Sequence, residues 1–342
     1  MEKRNITELW YQSRLHITDD LDYAPIVLKV DNSIVATLGN FSATIGKAKS
    51  RKTFSLTALV AAALINKLIL SFSATLPEAK RKILYFDTEQ SAFHCKKVLK
   101  RIVELADMDL NHHPANLEFV CLRKFDPVTR LEIIEEAITN TSNLGLVLID
   151  GIRDLVFDIN SPKESTEITS KLMQWSEGYN LHIHTILHVN KTDDNARGHL
   201  GTEILNKAES VLQVIKDSSD PDVSIVKAVS IRDKDFEPFA FRIGEDDLPE
   251  LDDNFSLNSG TSKAFDYLEI SESVHRQALQ MTFADSHLLS YGDLIQKLLE
   301  AYTAHGFQMG INKIKSLKRF CENKRMIIKQ GKMYSFNAEF YY

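Results

Sequence analysis

The chain has 342 residues, of which 44% are apolar and 9% aromatic, and a formal net charge of −6. It can bury a sizeable core in one large or two modest domains, and its acidic balance excludes a uniformly basic nucleic-acid coat. No apolar run approaches bilayer length and residues 1–15 lack a signal peptide's apolar core, so a cytoplasmic location without a membrane partner is expected.

Residues 1–33 read as a lead-in, helix-like at 6–15 and extended from Tyr23-Ala24-Pro25. From Ile34 onward, apolar β-type runs alternate with longer amphipathic stretches. The expected strands are 34–38, 41–45, 82–87, 117–122, 144–150 and 183–188. The expected helices are 54–70, 91–106, 127–139 and 163–179. Strands apolar throughout, alternating with helices, predict an α/β unit with a mostly parallel sheet covered on both faces. The runs 210–215, 223–231 and 237–243 come without intervening helices and read as an antiparallel extension closing a first unit at 34–244.

An acidic linker is expected at 245–262, with six Asp or Glu between Glu245 and Asp253. In the remainder, 263–342, stretches 263–283 and 290–302 look helical, 310–323 looks like a basic helix, and 325–337 has the form of a short hairpin. That order describes a winged-helix unit. Eight Lys or Arg against one Glu between Thr303 and Tyr334 suit duplex DNA, through Lys313, Lys315, Lys318, Arg319 and Lys324, although such units also bind proteins. Cys95, Cys121 and Cys321 lie far apart without metal-ligand spacing and read as reduced thiols.

The most informative stretch is Gly46-Lys47-Ala48-Lys49-Ser50-Arg51-Lys52-Thr53. It stands between a strand and a helix and fits the phosphate loop G-x-x-x-x-G-K-[ST] at all but one position. Backbone amides wrap the phosphates in such a loop, the lysine reaches the β and γ phosphates, and the hydroxyl holds Mg²⁺. With Phe54, these residues are the expected ATP-binding set. Arg51 replaces the second glycine. Either it contacts the nucleotide in an unusually cationic cradle and the site is active, or the loop binds weakly or hydrolyses slowly.

Two later strands end in acids. Glu89 follows the 82–87 strand, where ligands of parallel sheets sit, and a carboxylate there can orient or deprotonate an attacking water. Asp87 or Thr88 could cap the next helix, alone or alongside that role. Asp150 closes the 144–150 strand and suits the Mg²⁺ shell beside Thr53. His188 ends the next strand, followed by Asn190, and suits a group that senses the γ phosphate.

This succession of loop, Asp87-Thr88-Glu89-Gln90, Ile149-Asp150 and His188-Val189-Asn190-Lys191 resembles the RecA-like core of hexameric helicases, especially plasmid RepA-type replicative helicases and related ATPases of mobile elements. The resemblance covers roughly residues 34–243. It implies a homo-hexameric ring with ATP between subunits, driving movement along single-stranded DNA. Carried over by position, Lys52 and Thr53 bind phosphate and Mg²⁺, Glu89 is the general base, Asp150 the metal-side acid and His188 the sensor. Arg232, or second Lys234, would be the basic finger supplied to a neighbour's site. The pore-lining loops would be 153–166 and 191–202, with Lys191 and Arg197 touching the phosphate backbone and Gly198 and Gly201 giving mobility. A DNA helicase is the expected function. The alternatives are a DNA-stimulated loader that does not unwind and an ATP-gated DNA-binding regulator.

Overall fold

The computed structural model describes residues 5–19, 24–189, 198–218, 220–252, 255 and 267–340. Helix α1 (Ile6–Gln12) is capped by the Asn5 side chain and buries none of its residues. Strands β1 (Ile26–Val30) and β2 (Ser33–Thr37) form a hairpin, and β3 (Phe41–Gly46) follows with all six residues buried. Helix α2 (Lys52–Ile65) is apolar on every side and buried accordingly. It ends earlier than the sequence suggests because Asn66 turns left-handed, at φ 53°. The chain instead forms β4 (Leu68–Ile69) and β5 (Phe72–Ala74), and β5 pairs with β1. The expected lead-in therefore contributes β1, whose Val27, Leu28 and Val30 sit in the core.

The central sheet is built from β6 (Lys82–Asp87), β7 (Leu117–Cys121), β8 (Leu144–Asp150), β9 (His182–His188), β10 (Ser210–Lys216), β11 (Val223–Ile231), β12 (Phe239–Ile243) and β13 (Pro249–Leu251), together with β3. Helices α3 (Ala92–Leu105), α4 (Pro127–Asn140), α5 (Pro162–Gly178) and α6 (Gly198–Lys207) connect successive strands. The strand order is β13-β12-β11-β10-β3-β9-β8-β6-β7. From β10 to β7 all neighbours are parallel, and β11 to β13 add antiparallel strands. Contrary to expectation, β10 follows a helix, α6, and lies parallel to β3, so the antiparallel extension starts only at β11.

Two apolar layers, one on each sheet face, hold this unit together. Each fully buried Val, Leu, Ile or Phe in them contributes about 1.5–3 kcal/mol of burial free energy. Parallel pairing aligns the carboxyl ends of β3, β9, β8 and β6 along one rim. That rim is where this topology places ligands.

Residues 267–340 form a second unit with its own core. It comprises α7 (Glu272–Thr282), β14 (Leu289–Ser290), α8 (Tyr291–Ala304), α9 (Ile311–Asn323), and the hairpin of β15 (Ile327–Gln330) and β16 (Met333–Phe336), with sheet order β14-β16-β15. It docks on the small β1–β5 sheet. Lys315 Nζ reaches Asp31 Oδ1 at 2.8 Å and Ser71 Oγ at 2.7 Å, and Lys67 pairs with Asp293 at 3.1 Å. Gly292 packs so close to the Leu68 carbonyl that an added Cβ would lie 2.6 Å from that oxygen.

Candidate active site

The loop after β3 needs close backbone approach. A Cβ on Gly46 would lie 2.3 Å from the Val214 carbonyl oxygen, so only glycine fits there. Lys49 and Arg51 both adopt left-handed backbone, at φ 64° and 69°. This explains the usual glycine at the position of Arg51: the loop turns left-handed there before α2 starts. The Arg51 side chain is drawn to the β10–β11 turn, donating to the backbone carbonyl of Asp222 and, at 3.3 Å, to its carboxylate. Lys47, Ala48 and Lys49 are exposed, whereas Ser50 is buried and its hydroxyl has no partner.

Lys52 is 6% exposed and uses all three ammonium protons, on the Gly46 carbonyl at 2.9 Å, the Lys47 carbonyl at 2.9 Å and His188 Nδ1 at 3.1 Å. Desolvation lowers its pKa to about 8, against the pull of Asp150 and Glu89. Because an ammonium only donates, Nδ1 of His188 must accept, and the ring proton sits on Nε2. Nε2 lies 3.3 Å from Glu89 Oε1, so the same ring donates to Glu89. That bond is the main reason the Glu89 carboxyl is held below its ordinary pKa.

Asp150 sits at the buried tip of β8. Its Oδ2 accepts from Tyr85 Oη at 2.9 Å and from Thr53 Oγ1 at 3.3 Å. Burial, followed by the nearby Asp87 charge, pushes its pKa up to about 7. Asp87 does not cap α3, contrary to one sequence alternative. Its Oδ1 accepts from the amides of Glu89 and Gln90, and its Oδ2 from the Gln90 side chain, which fixes the turn presenting Glu89. Thr88 does not cap the helix either, since its hydroxyl bonds to Asp150 O, Gly151 O and Asp154 Oδ2.

Lys52, Thr53, Phe54, Glu89, Asp150 and His188 thus line one cavity of about 480 Å³, together with Lys49 and Arg51. Beyond Gln90 and Ile186, four wall residues were not expected from the sequence: His94, Lys97, Val98 and Arg101 of α3. Their i, i+3, i+4, i+7 spacing was the signal that places them on one helix face.

The residues fit ATP and Mg²⁺. The unpartnered Ser50 hydroxyl and the amides opening α2 suit phosphate oxygens. Thr53 and Asp150 offer one hydroxyl and one carboxylate to a hard cation. Among the described residues no group of three or more His, Cys, Asp or Glu could hold a metal ion. A cation here would therefore depend on phosphate and water for its other ligands, as Mg²⁺ commonly does.

Other expected residues lie elsewhere. Arg232 and Lys234 are exposed and follow β11 at the sheet end opposite the phosphate loop, where Ser210, the partner of Ile231, pairs with Ser42. Lys191 and Arg197 lie outside the described residues. The expected mobile loop is partly helix, because Gly198 and Gly201 belong to α6. Likewise 153–166 contains a 3-10 turn, Ile152–Leu155, and the first turn of α5. On α9 Lys313 is exposed and Arg319 half-buried, and Lys324, just past its end, is exposed. Lys315 is used in docking, and Lys318 is buried against Glu322 at 2.7 Å. No helix among the described residues is long and apolar enough to cross a membrane.

A family described as an AAA domain matches residues 32–194. Among solved structures, the RadB recombinase is similar with a TM-score of 0.44 and 14% identity, over 61% of this chain and 90% of that one. No curated protein matches the sequence.

Proposed function

We propose that the chain is a RecA-like ATPase that works as a DNA motor, most simply a helicase of plasmid or transposon replication. The observation that carries this reading is the convergence of Lys52, Thr53, Glu89, Asp150 and His188 on one cavity at the sheet rim. All five fall within the segment matched by the AAA domain family. Lys52 exchanges its loop carbonyls for phosphate oxygens. Glu89 accepts the proton of the attacking water while His188 holds its carboxylate in line. Mg²⁺, when bound, would neutralise phosphate charge and favour ionised Asp150.

Arg232 and Lys234 lie too far from their own loop to act there, so a finger role requires a second copy of the chain. A homo-oligomer, hexameric by the resemblance, supplies it. Single-stranded DNA would run through its pore past Lys191 and Arg197. Duplex DNA would meet the winged-helix-like unit through Lys313, Arg319 and Lys324, with Lys315 and Lys318 contributing only after rearrangement.

ATP turnover in the wild type against Lys52→Ala tests the core reading, and equal rates would overturn it. Strand displacement on a forked duplex tests the motor. Unwinding supports the helicase, ATPase activity alone supports a loader, and duplex-specific binding with neither supports a regulator.

A further inference from the structure

Arg101 has only part of the company its charge demands. Its Cζ stacks 3.7 Å from the centroid of the Phe54 ring, and its Nε–H donates to the Asp247 carbonyl at 3.1 Å. Among the described residues it has no ion-pair partner, yet it is half-buried in the wall of the nucleotide cavity. Phe54 directly follows Lys52 and Thr53 on α2. With the phosphates held at those two residues, the parts of a nucleotide left to reach the Phe54–Arg101 wall are the sugar and base. A flat guanidinium stacked on an aromatic ring suits a planar base.

The Asp247 carbonyl belongs to a tight turn between β12 and β13. Gly244 N bonds to Leu248 O at 2.8 Å, Asp247 N to Gly244 O at 3.1 Å and Leu248 N to Asp246 Oδ1 at 3.1 Å. The other oxygen of Asp246 pairs with Lys332 Nζ at 2.9 Å. Lys332 sits in the Gly331-Lys332 turn at the tip of the β15–β16 hairpin. One five-residue turn, Gly244 to Leu248, therefore touches the cavity wall on one side and the hairpin tip of the second unit on the other.

We infer that Arg101 binds the base end of the nucleotide and that the Asp246–Lys332 pair positions it, so that nucleotide binding and release of the hairpin tip oppose each other. This rests on the cavity being a nucleotide site. With the pair formed, the 244–248 turn is fixed and Arg101 is preorganised against Phe54. A polyanion that draws Lys332 away frees the turn and loosens that wall. By thermodynamic reciprocity, bound nucleotide weakens the polyanion's grip on Lys332 by the same factor.

The test is equilibrium binding of a fluorescent ATP analogue to the full chain and its variants. Lys332→Ala and Asp246→Asn should each weaken binding about two- to fivefold, the scale of an exposed ion pair acting through one contact, and Lys332→Arg should restore it. In an Arg101→Ala background, Lys332→Ala should have no further effect. Inorganic tripolyphosphate, which lacks a base, should compete equally well in every variant. Wild-type affinity in Lys332→Ala, independent summing of the Arg101 and Lys332 effects, or a matching loss of tripolyphosphate binding would overturn the inference. A wild-type chain that binds no analogue at all would instead overturn the nucleotide reading beneath it.

Discussion

His188 Nε2 stands 3.3 Å from Glu89 Oε1, while the opposite nitrogen of the same ring accepts from Lys52. One imidazole thus joins the proposed general base to the proposed phosphate-binding lysine, and the lysine fixes which nitrogen carries the proton. Removing the ring takes away the main influence lowering the Glu89 pKa. In His188→Ala the acid limb of the pH–rate profile should move to higher pH, with turnover at neutral pH lower by about 10²-fold. An acid limb left in place would show that Glu89 is not the titrating base.

Lys52 in the free chain has a pKa of about 8. Its charge is therefore lost as pH rises past that value, and phosphate oxygens restore it on binding. Nucleotide affinity should fall between pH 7.5 and 9, about tenfold per pH unit at the upper end, with proton uptake on binding. Calorimetry in two buffers of different ionisation enthalpy reads that uptake directly.

Asp150, at about 7, has a folded pKa above its ordinary value of 3.8. The folded chain therefore binds the extra proton between those values, and the stability it brings is lost as pH rises through 7. Asp150→Asn should abolish turnover yet raise unfolding free energy at pH 8 by about 2–4 kcal/mol, with a smaller gain at pH 5. Urea midpoints at the two pH values provide the comparison.

The sheet interior titrates in the opposite sense. His182 and His184 share Ser42 Oγ at 2.7 Å each, Thr44 Oγ1 lies 2.9 Å from His184 Nε2, and burial lowers the two pKa values to about 4 and about 3. The unfolded chain takes up protons first, so stability is full above 6.5 and falls as pH drops toward 4. Ser42→Ala strips both rings of a partner and should cost about 1–3 kcal/mol at pH 7.5, measured by denaturant unfolding.

Arg51→Gly relieves a left-handed residue and removes an exposed pair with Asp222. The two effects should cancel to within about 1 kcal/mol in stability. Because the guanidinium is tied to Asp222, turnover should stay within about threefold of wild type. A loss beyond tenfold would identify Arg51 as a nucleotide ligand.

Alternating apolar strands and amphipathic helices made the parallel sheet readable, because a strand buried on both faces has no polar positions to spare. Strand β8 was predicted at its observed bounds; Asp150 and His188 stood out as candidates because an acid and a histidine closed apolar runs, Glu89 because it came two residues after one, and the loop by its own pattern. The β4–β5 hairpin was missed because Asn66 ends an apolar run by its backbone conformation, which carries no hydrophobic signal.

Residue order alone determined which strands end in chemistry, since period and punctuation are local properties of the chain. Distances across 100 residues are not local. Only the fold decided that His188 would link Lys52 to Glu89, that Arg51 would turn to Asp222, and that Lys315 and Lys318 would face inward. Only parallel register and helix packing decide which charges share a cavity and which neutralise one another.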